Sequence, residues 1–129
     1  MALCCVCGRE SAGEVCNTCI RTETQIMKEE WVHKEGLLGS KKIELNLSIS
    51  DLRISGYGLI TTQEGMLTTG RYDNFTHYIK NIEEVKSVTI DKKEALLIHI
   101  VNPYTRLNRF IYMLSPKDVS KLILTIKSL

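Results

Sequence analysis

The sequence lacks the long apolar segments of membrane and secreted proteins. No apolar run approaches the roughly 20 residues that a membrane-spanning helix needs. The opening Met-Ala-Leu-Cys-Cys-Val has neither the basic start nor the long apolar stretch of a signal peptide. An excess of one charge is missing too, since 17 basic and 15 acidic residues give a net charge of +2. We therefore expect a cytoplasmic globular protein that is not a general nucleic-acid binder, because such binders are usually markedly basic.

The motifs of common enzyme active sites are also missing. The sequence contains no G-x-S-x-G, no H-E-x-x-H and no P-loop. Its three histidines, His33, His77 and His99, lie in unlike contexts. We expect His33 to be a surface residue and His99 to be a core residue of an apolar strand. Because no acid, base and nucleophile converge in the sequence, we expect no enzymatic activity.

All five cysteines lie within the first 19 residues. Two C-x2-C pairs predict one structural Zn²⁺, because four thiolates in two close pairs suit its tetrahedral coordination. The predicted ligands are Cys4, Cys7, Cys16 and Cys19, with Cys5 as a spare. Disulfides or free thiols are the alternative, although disulfides are rare in the cytoplasm. Four cysteines would leave the metal no open position for catalysis.

Large apolar residues follow the cysteines at a helical spacing. Ile20, Met27 and Trp31 fall at positions i, i+7 and i+11, which form a single narrow stripe on a helix. Gly36 would end this element. The pattern predicts a connecting helix over residues 20–36, with Trp31 packing against the next domain.

Downstream of this helix the spacing of apolar residues becomes that of β-strands. Apolar residues alternate with polar ones at Ile43, Leu45, Leu47 and Ile49, as expected for a half-buried strand that starts at Lys41. Further short strands are predicted at Tyr57–Thr62, Gly65–Thr69, Phe75–Lys80, Lys86–Asp91, Glu94–Val101 and Arg109–Leu114. Two of them, Lys86–Asp91 and Glu94–Val101, would form a hairpin around Lys92 and Lys93.

A helix is predicted at the end of the chain, over residues 116–128. Ser115 is its expected N-cap, with Pro116 at the first helical position and Asp118 at the third. One apolar face follows, formed by Val119, Leu122, Ile123 and Ile126. About seven strands and one helix predict a small, bent antiparallel barrel with the helix plugging one open end.

Parts of this pattern resemble known families. The passage Ile82-Glu83-Glu84-Val85-Lys86-Ser87-Val88, with Leu96–Val101, Arg109–Leu114 and the Ser115-led helix, resembles a PH-like domain of the bacterial GRAM type. The N-terminal Cys-Cys-Val-Cys-Gly and Cys-Asn-Thr-Cys resemble short zinc ribbons found ahead of such domains. The expected class is α+β, mainly β. It comprises a zinc ribbon at 1–22, the connecting helix at 20–36 and a PH-like barrel at 40–129.

The resemblance implies a binding function. PH-like barrels commonly present a sheet edge, or the groove beside the C-terminal helix, to an extended peptide. Lipid-binding members use basic residues between their first two strands, and Ser50–Gly58 offers only Arg53 there. We therefore expect a non-enzymatic adaptor that binds a protein partner through Tyr104, Arg106 and Arg109, residue types enriched at interface hot spots.

Other functions stay open at this point. A hairpin loop without a binding role is the alternative for Tyr104, Arg106 and Arg109. Nucleic-acid binding through the zinc ribbon and peripheral membrane or lipid binding through the barrel are alternative functions. A homo-oligomer is a further expectation, because the Trp31 stripe on the connecting helix is suited to packing between chains.

Overall fold

The computed structural model describes residues 2–3, 10–11, 21–90, 92–102, 106 and 108–129. The described part is mainly β, with a single helix near the C-terminus. The strands are β1 (Ala2–Leu3), β2 (Glu10–Ser11), β3 (Gln25–Glu35), β4 (Lys41–Ser50), β5 (Arg53–Thr61), β6 (Arg71–Tyr78), β7 (Ile82–Ile90), β8 (Lys93–Val101) and β9 (Asn108–Leu114), and the helix is α1 (Val119–Lys127). The predicted zinc ligands, Cys4, Cys7, Cys16 and Cys19, lie outside the described residues.

Strands β3 to β9 form one antiparallel sheet that curls into a half-barrel. The order is β3-β4-β5-β9-β8-β7, and β6 pairs with β5. The chain thus makes two meanders, β3 to β6 and β7 to β9, which are joined where Leu59–Thr61 of β5 pairs with Phe110–Tyr112 of β9. The helix α1 packs against β7 and β8 and buries Val119, Leu122 and Ile126. None of the helices in the described ranges has the length and apolar content to cross a membrane.

Several predicted elements are confirmed. Strand β4 runs from Lys41 to Ser50, and its alternate residues Ile43, Leu45, Leu47 and Ile49 are all buried. The predicted hairpin around Lys92 is formed by β7 and β8, with Ile90 opposite Lys93. The last strand, β9, is also present. Strand β4 thus buries one alternating row, whereas β8 buries the consecutive residues Ala95–Ile98 and β9 buries Ile111–Leu114.

The predicted connecting helix at 20–36 is wrong, because residues 25–35 form strand β3. Trp31 and His33 are buried while Val32 between them is exposed, which is the alternation of a strand. Met27 and Trp31 are four positions apart, a spacing that places two residues on one face of either a helix or a strand. The half-barrel therefore begins at Gln25, ahead of the expected residue 40.

The predicted strand Gly65–Thr69 is also wrong. Gly65 has a φ of +80°, and Leu67–Thr69 form a 3-10 turn. The hydroxyl of Thr69 donates to the carbonyl of Met66 at 2.9 Å, which closes the turn locally. Strand β5 starts earlier than predicted, at Arg53, and β6 at Arg71.

The C-terminal helix starts three residues later than predicted. Asp118, not Ser115, is the N-cap, since its carboxylate accepts a hydrogen bond from the N–H of Lys121 at 3.0 Å. Ser115 instead forms a corner after β9, with a φ of +52°. Pro116 therefore precedes the helix rather than starting it.

Two histidine predictions need correction. His33 was expected on the surface and is only 8% exposed, because it lies on the inner face of β3. His99 was expected in the core and is half-buried near the end of β8. Its ring stacks on Phe110 with centroids 4.3 Å apart, and its Nε2 lies 3.0 Å from the side-chain oxygen of Asn108. Polar partners at the strand end thus satisfy His99 outside the apolar core.

Candidate functional site

A groove runs beside strand β3. Within the described chain β3 pairs only with β4, so its other edge has no strand partner, and the carbonyl of Lys34 accepts a hydrogen bond from Nζ of Lys93 at 3.3 Å. The corner between β9 and α1 faces this edge. We call the space between Glu29–Lys34 of β3 and Ser115–Lys121 of that corner the β3 groove. An open strand edge with a second wall opposite it is suited to an extended chain.

The corner is fastened to β3 by two inner side chains. The indole Nε1 of Trp31 donates to the backbone carbonyl of Leu114 at 2.7 Å. The Nδ1 of His33 lies 3.2 Å from the hydroxyl oxygen of Ser115. These contacts join residues that are 83 and 82 positions apart in the chain. The width of the β3 groove is therefore set by buried side chains rather than by the groove surface itself.

At its Lys34 end the β3 groove opens into a cleft of about 500 Å³, which we call the end cleft. Gly36, at the base of the β3–β4 hairpin, lies on its rim together with Lys93 and Glu94. Its apolar walls are Leu59, Leu67, Ile90, Ala95 and Leu114. A volume of this size lies within the range of small-ligand and side-chain pockets.

A row of polar side chains lines the end cleft. The Nε2 of His33 lies 3.5 Å from Oε2 of Glu35, and the Tyr72 hydroxyl donates to the same oxygen at 3.2 Å. Lys41 Nζ lies 3.5 Å from the other carboxylate oxygen. Burial, reinforced by the negative charge of Glu35, raises the pKa of Tyr72 to about 12. Tyr72 therefore keeps its proton at neutral pH and donates to Glu35.

The Ser115, His33 and Glu35 side chains follow one another in the order of a hydrolase triad. Acyl transfer also requires N–H donors aimed at the developing oxyanion. The backbone N–H of Ser115 donates to the carbonyl of Glu94 at 3.2 Å and is thus already engaged. The row is therefore suited to holding the corner and presenting a carboxylate to the end cleft.

The residues predicted to bind a partner lie elsewhere. Tyr104 falls outside the described residues. Arg106 is exposed, and its backbone N–H donates to the carbonyl of Asn102 at 2.8 Å. Arg109 is exposed at the start of β9. It adds to burial in lowering the pKa of His77. Because β9 separates Arg109 from Ser115 by roughly 20 Å, these residues are not gathered at the β3 groove, and their role stays a prediction.

The connection between the first two long strands also differs from the predicted one. With β3 as the first long strand, the connection between the first two long strands is Leu37–Gly39 rather than Ser50–Gly58. Lys34, Lys41 and Lys42 lie near this connection. Basic residues therefore do lie beside the first long connection, and lipid binding stays an alternative function of the half-barrel.

No cluster of three or more metal-binding side chains lies among the described residues. The predicted zinc ligands are outside them, and the donor set of four cysteines fits Zn²⁺ chemically. The chain matches no known protein family, no curated protein and no solved structure.

Proposed function

We propose that this protein is a non-enzymatic, cytoplasmic adaptor. A structural zinc ribbon at residues 1–22 precedes a PH-like half-barrel, which binds an extended segment of a partner protein in the β3 groove. The observation that carries the proposal is the open edge of β3 facing the β9–α1 corner. The element order, seven long strands and then one helix, agrees with the order that the PH-like resemblance implies.

The open edge favours a partner with an extended backbone. Unpaired N–H and C=O groups of β3 are satisfied when another strand pairs with them, and this gives affinity without sequence preference. Preference comes from the exposed face of β3, where Val32 is 48% exposed and Lys34 is two positions further on. We expect an apolar partner residue opposite Val32 and an acidic one opposite Lys34, because cross-strand neighbours contact each other.

A zinc ion is the second part of the proposal. The backbone of β1 pairs with β2, with Ala2 opposite Ser11 and Leu3 opposite Glu10. Cys4 and Cys7 lie between these two strands in the sequence. When bound, Zn²⁺ would supply coordination that holds the ribbon together, since so short a segment buries little apolar surface.

Purified protein is expected to contain about one Zn²⁺ per chain by mass spectrometry of the metal. Cys16→Ser should lose the metal and unfold the ribbon, while the half-barrel keeps its thermal transition, because the described core lies between Met27 and Ile126. Cys5→Ser is the matched control and should retain zinc. Metal-free protein whose five thiols are all readily alkylated would refute the zinc site.

The groove is tested with a phage-displayed random peptide library selected on the full chain. Selected peptides should carry an apolar residue and an acidic residue two positions apart. Val32→Asp should weaken their binding at least about tenfold through charge repulsion and lost apolar contact. Thr76→Asp, at an exposed position of β6, should leave binding unchanged. Peptides that bind Val32→Asp normally but fail to bind Arg109→Ala would place the site at the other end of β9 instead.

A further inference from the structure

The tip of the β3–β4 hairpin carries a fully exposed leucine. Leu38 is 99% exposed, whereas the next most exposed large apolar residue in the described chain, Leu124, is 70% exposed. A single exposed leucine is common on protein surfaces and needs no explanation by itself. The backbone conformation of Leu38 is a second unusual feature of this residue.

Leu38 has a left-handed backbone, with φ 56° and ψ 26°. Glycine and asparagine adopt this conformation readily, whereas a leucine there costs free energy because its Cβ crowds the backbone. The neighbouring Gly36 and Gly39 also have positive φ, which leaves Leu38 as the residue of this group that has a Cβ to accommodate. A strained leucine that buries nothing within its own chain is a candidate for a contact with another molecule.

The end cleft lies at the base of the same hairpin. Gly36 belongs both to the hairpin and to the rim of the cleft, whose apolar walls suit a leucine side chain. About 500 Å³ is enough for that side chain and part of its turn. A projecting residue and its complementary cleft on one surface patch meet the requirement of a two-fold dimer, in which each copy contributes both.

Charges around the patch complement each other in the same way. Lys42 is exposed on the hairpin, and Glu94 is exposed and lines the end cleft. In a two-fold pair Lys42 of one copy approaches Glu94 of the other. The same face carries Lys34, Lys41 and Lys93 beside Glu35 and Glu94, so it presents both signs of charge, as a self-complementary contact requires. We infer that the protein self-associates, with Leu38 of each copy seated in the end cleft of the other.

Sedimentation equilibrium of the full chain over a concentration series tests this dimer. The wild type should pass from the mass of one chain to that of two. Leu38→Asn should raise the dissociation constant at least about tenfold and, at a concentration where both proteins are monomeric, keep or raise the thermal midpoint, because asparagine tolerates the left-handed backbone. Leu124→Asn removes an exposed leucine from α1 and should leave the dimer unchanged.

A charge swap tests the geometry of the contact. Lys42→Glu and Glu94→Lys should each weaken the dimer, and the double variant should restore it. A wild type that stays monomeric throughout, or a Leu38→Asn variant that dimerises normally, overturns the inference. Co-sedimentation of monomeric wild type with phosphatidylserine vesicles, lost in Leu38→Asn, would make a membrane the occupant. Val32 does not line the end cleft, so the peptide test of the β3 groove, run at a concentration where the chain is monomeric, succeeds or fails independently of the dimer.

Discussion

Gly56→Ala is expected to destabilise the half-barrel by about 4 kcal/mol, a large loss for one added methyl group. Gly56 lies in β5 opposite Leu47 of β4 and Phe75 of β6. A Cβ at this position would fall inside van der Waals contact of the backbone carbonyl oxygen of Asn46. Backbone cannot rotate away as a side chain can, so β4 and β5 would have to separate. Urea unfolding followed by circular dichroism measures the loss.

Gly65→Ala is the matched control for this substitution. Gly65 has a φ of +80°, and a Cβ added there meets no atom within 4 Å. Only backbone strain is then expected, at about 1 kcal/mol. Equal losses in the two variants would show that the β4–β5 crossing has room for a side chain, contrary to the geometry described.

Trp31→Ala is expected to cost about 3–5 kcal/mol, the range for removing a large aromatic side chain from a core. Trp31 is 7% exposed and joins β3 to the end of β9 through its indole N–H. Trp31→Phe retains most of the packing but leaves the carbonyl of Leu114 without that donor, which should cost about 1–3 kcal/mol. Denaturant unfolding followed by circular dichroism gives both values.

The neighbouring residue provides the control for Trp31. Val32 is 48% exposed, so Val32→Ala should change the free energy of unfolding by at most about 0.5 kcal/mol. A strand predicts this sharp difference between adjacent positions. Similar losses at both positions would contradict the alternation of β3 and the placement of Trp31 in the core.

The difference between β4 and β3 shows what the sequence can predict of this fold. The inner row of β4 is wholly apolar, so its period of two was visible. The inner row of β3 includes Glu29, His33 and Glu35, which hide the period. Each has a charged or polar contact far along the chain, to Lys121, Ser115 and Tyr72 respectively. Only the folded chain shows these partners, and so the strand was mistaken for a helix.

Two glycines explain why the predicted strand lacked the first half of β5. The predicted strand began at Tyr57, but Gly56 and Gly58 both lie inside β5, where another part of the chain approaches closely. A Cβ at Gly58 would collide with the sulfur of Met113. Glycine permits a turn and a close approach equally well, and the sequence alone does not distinguish these uses.

The candidate site was predictable only in its general position. The PH-like resemblance implied a strand edge or a groove beside the C-terminal helix, and the β3 groove is such a place. The residues that line the β3 groove were not predicted. Residues 25–35, which form β3, were assigned to a helix, and Ser115 was assigned to the N-cap of the C-terminal helix. The end cleft draws on β3, β5, β6, β7, β8 and the β9–α1 corner, so no local pattern marks it.

The junction between the two meanders has a consequence for how the chain folds. Every other pairing in the large sheet joins strands adjacent in sequence, whereas β5 meets β9 across about fifty residues through three residue pairs. Local hairpins close fast. The contact between β5 and β9 must instead overcome the entropy of closing a long loop, and only three residue pairs compensate for it. We expect the meanders to form first and dock last. Until the two meanders dock, the edges of β5 and β9 that will pair remain open. We expect the chain to be most prone to aggregation in this state, because these edges can pair with strands of another chain.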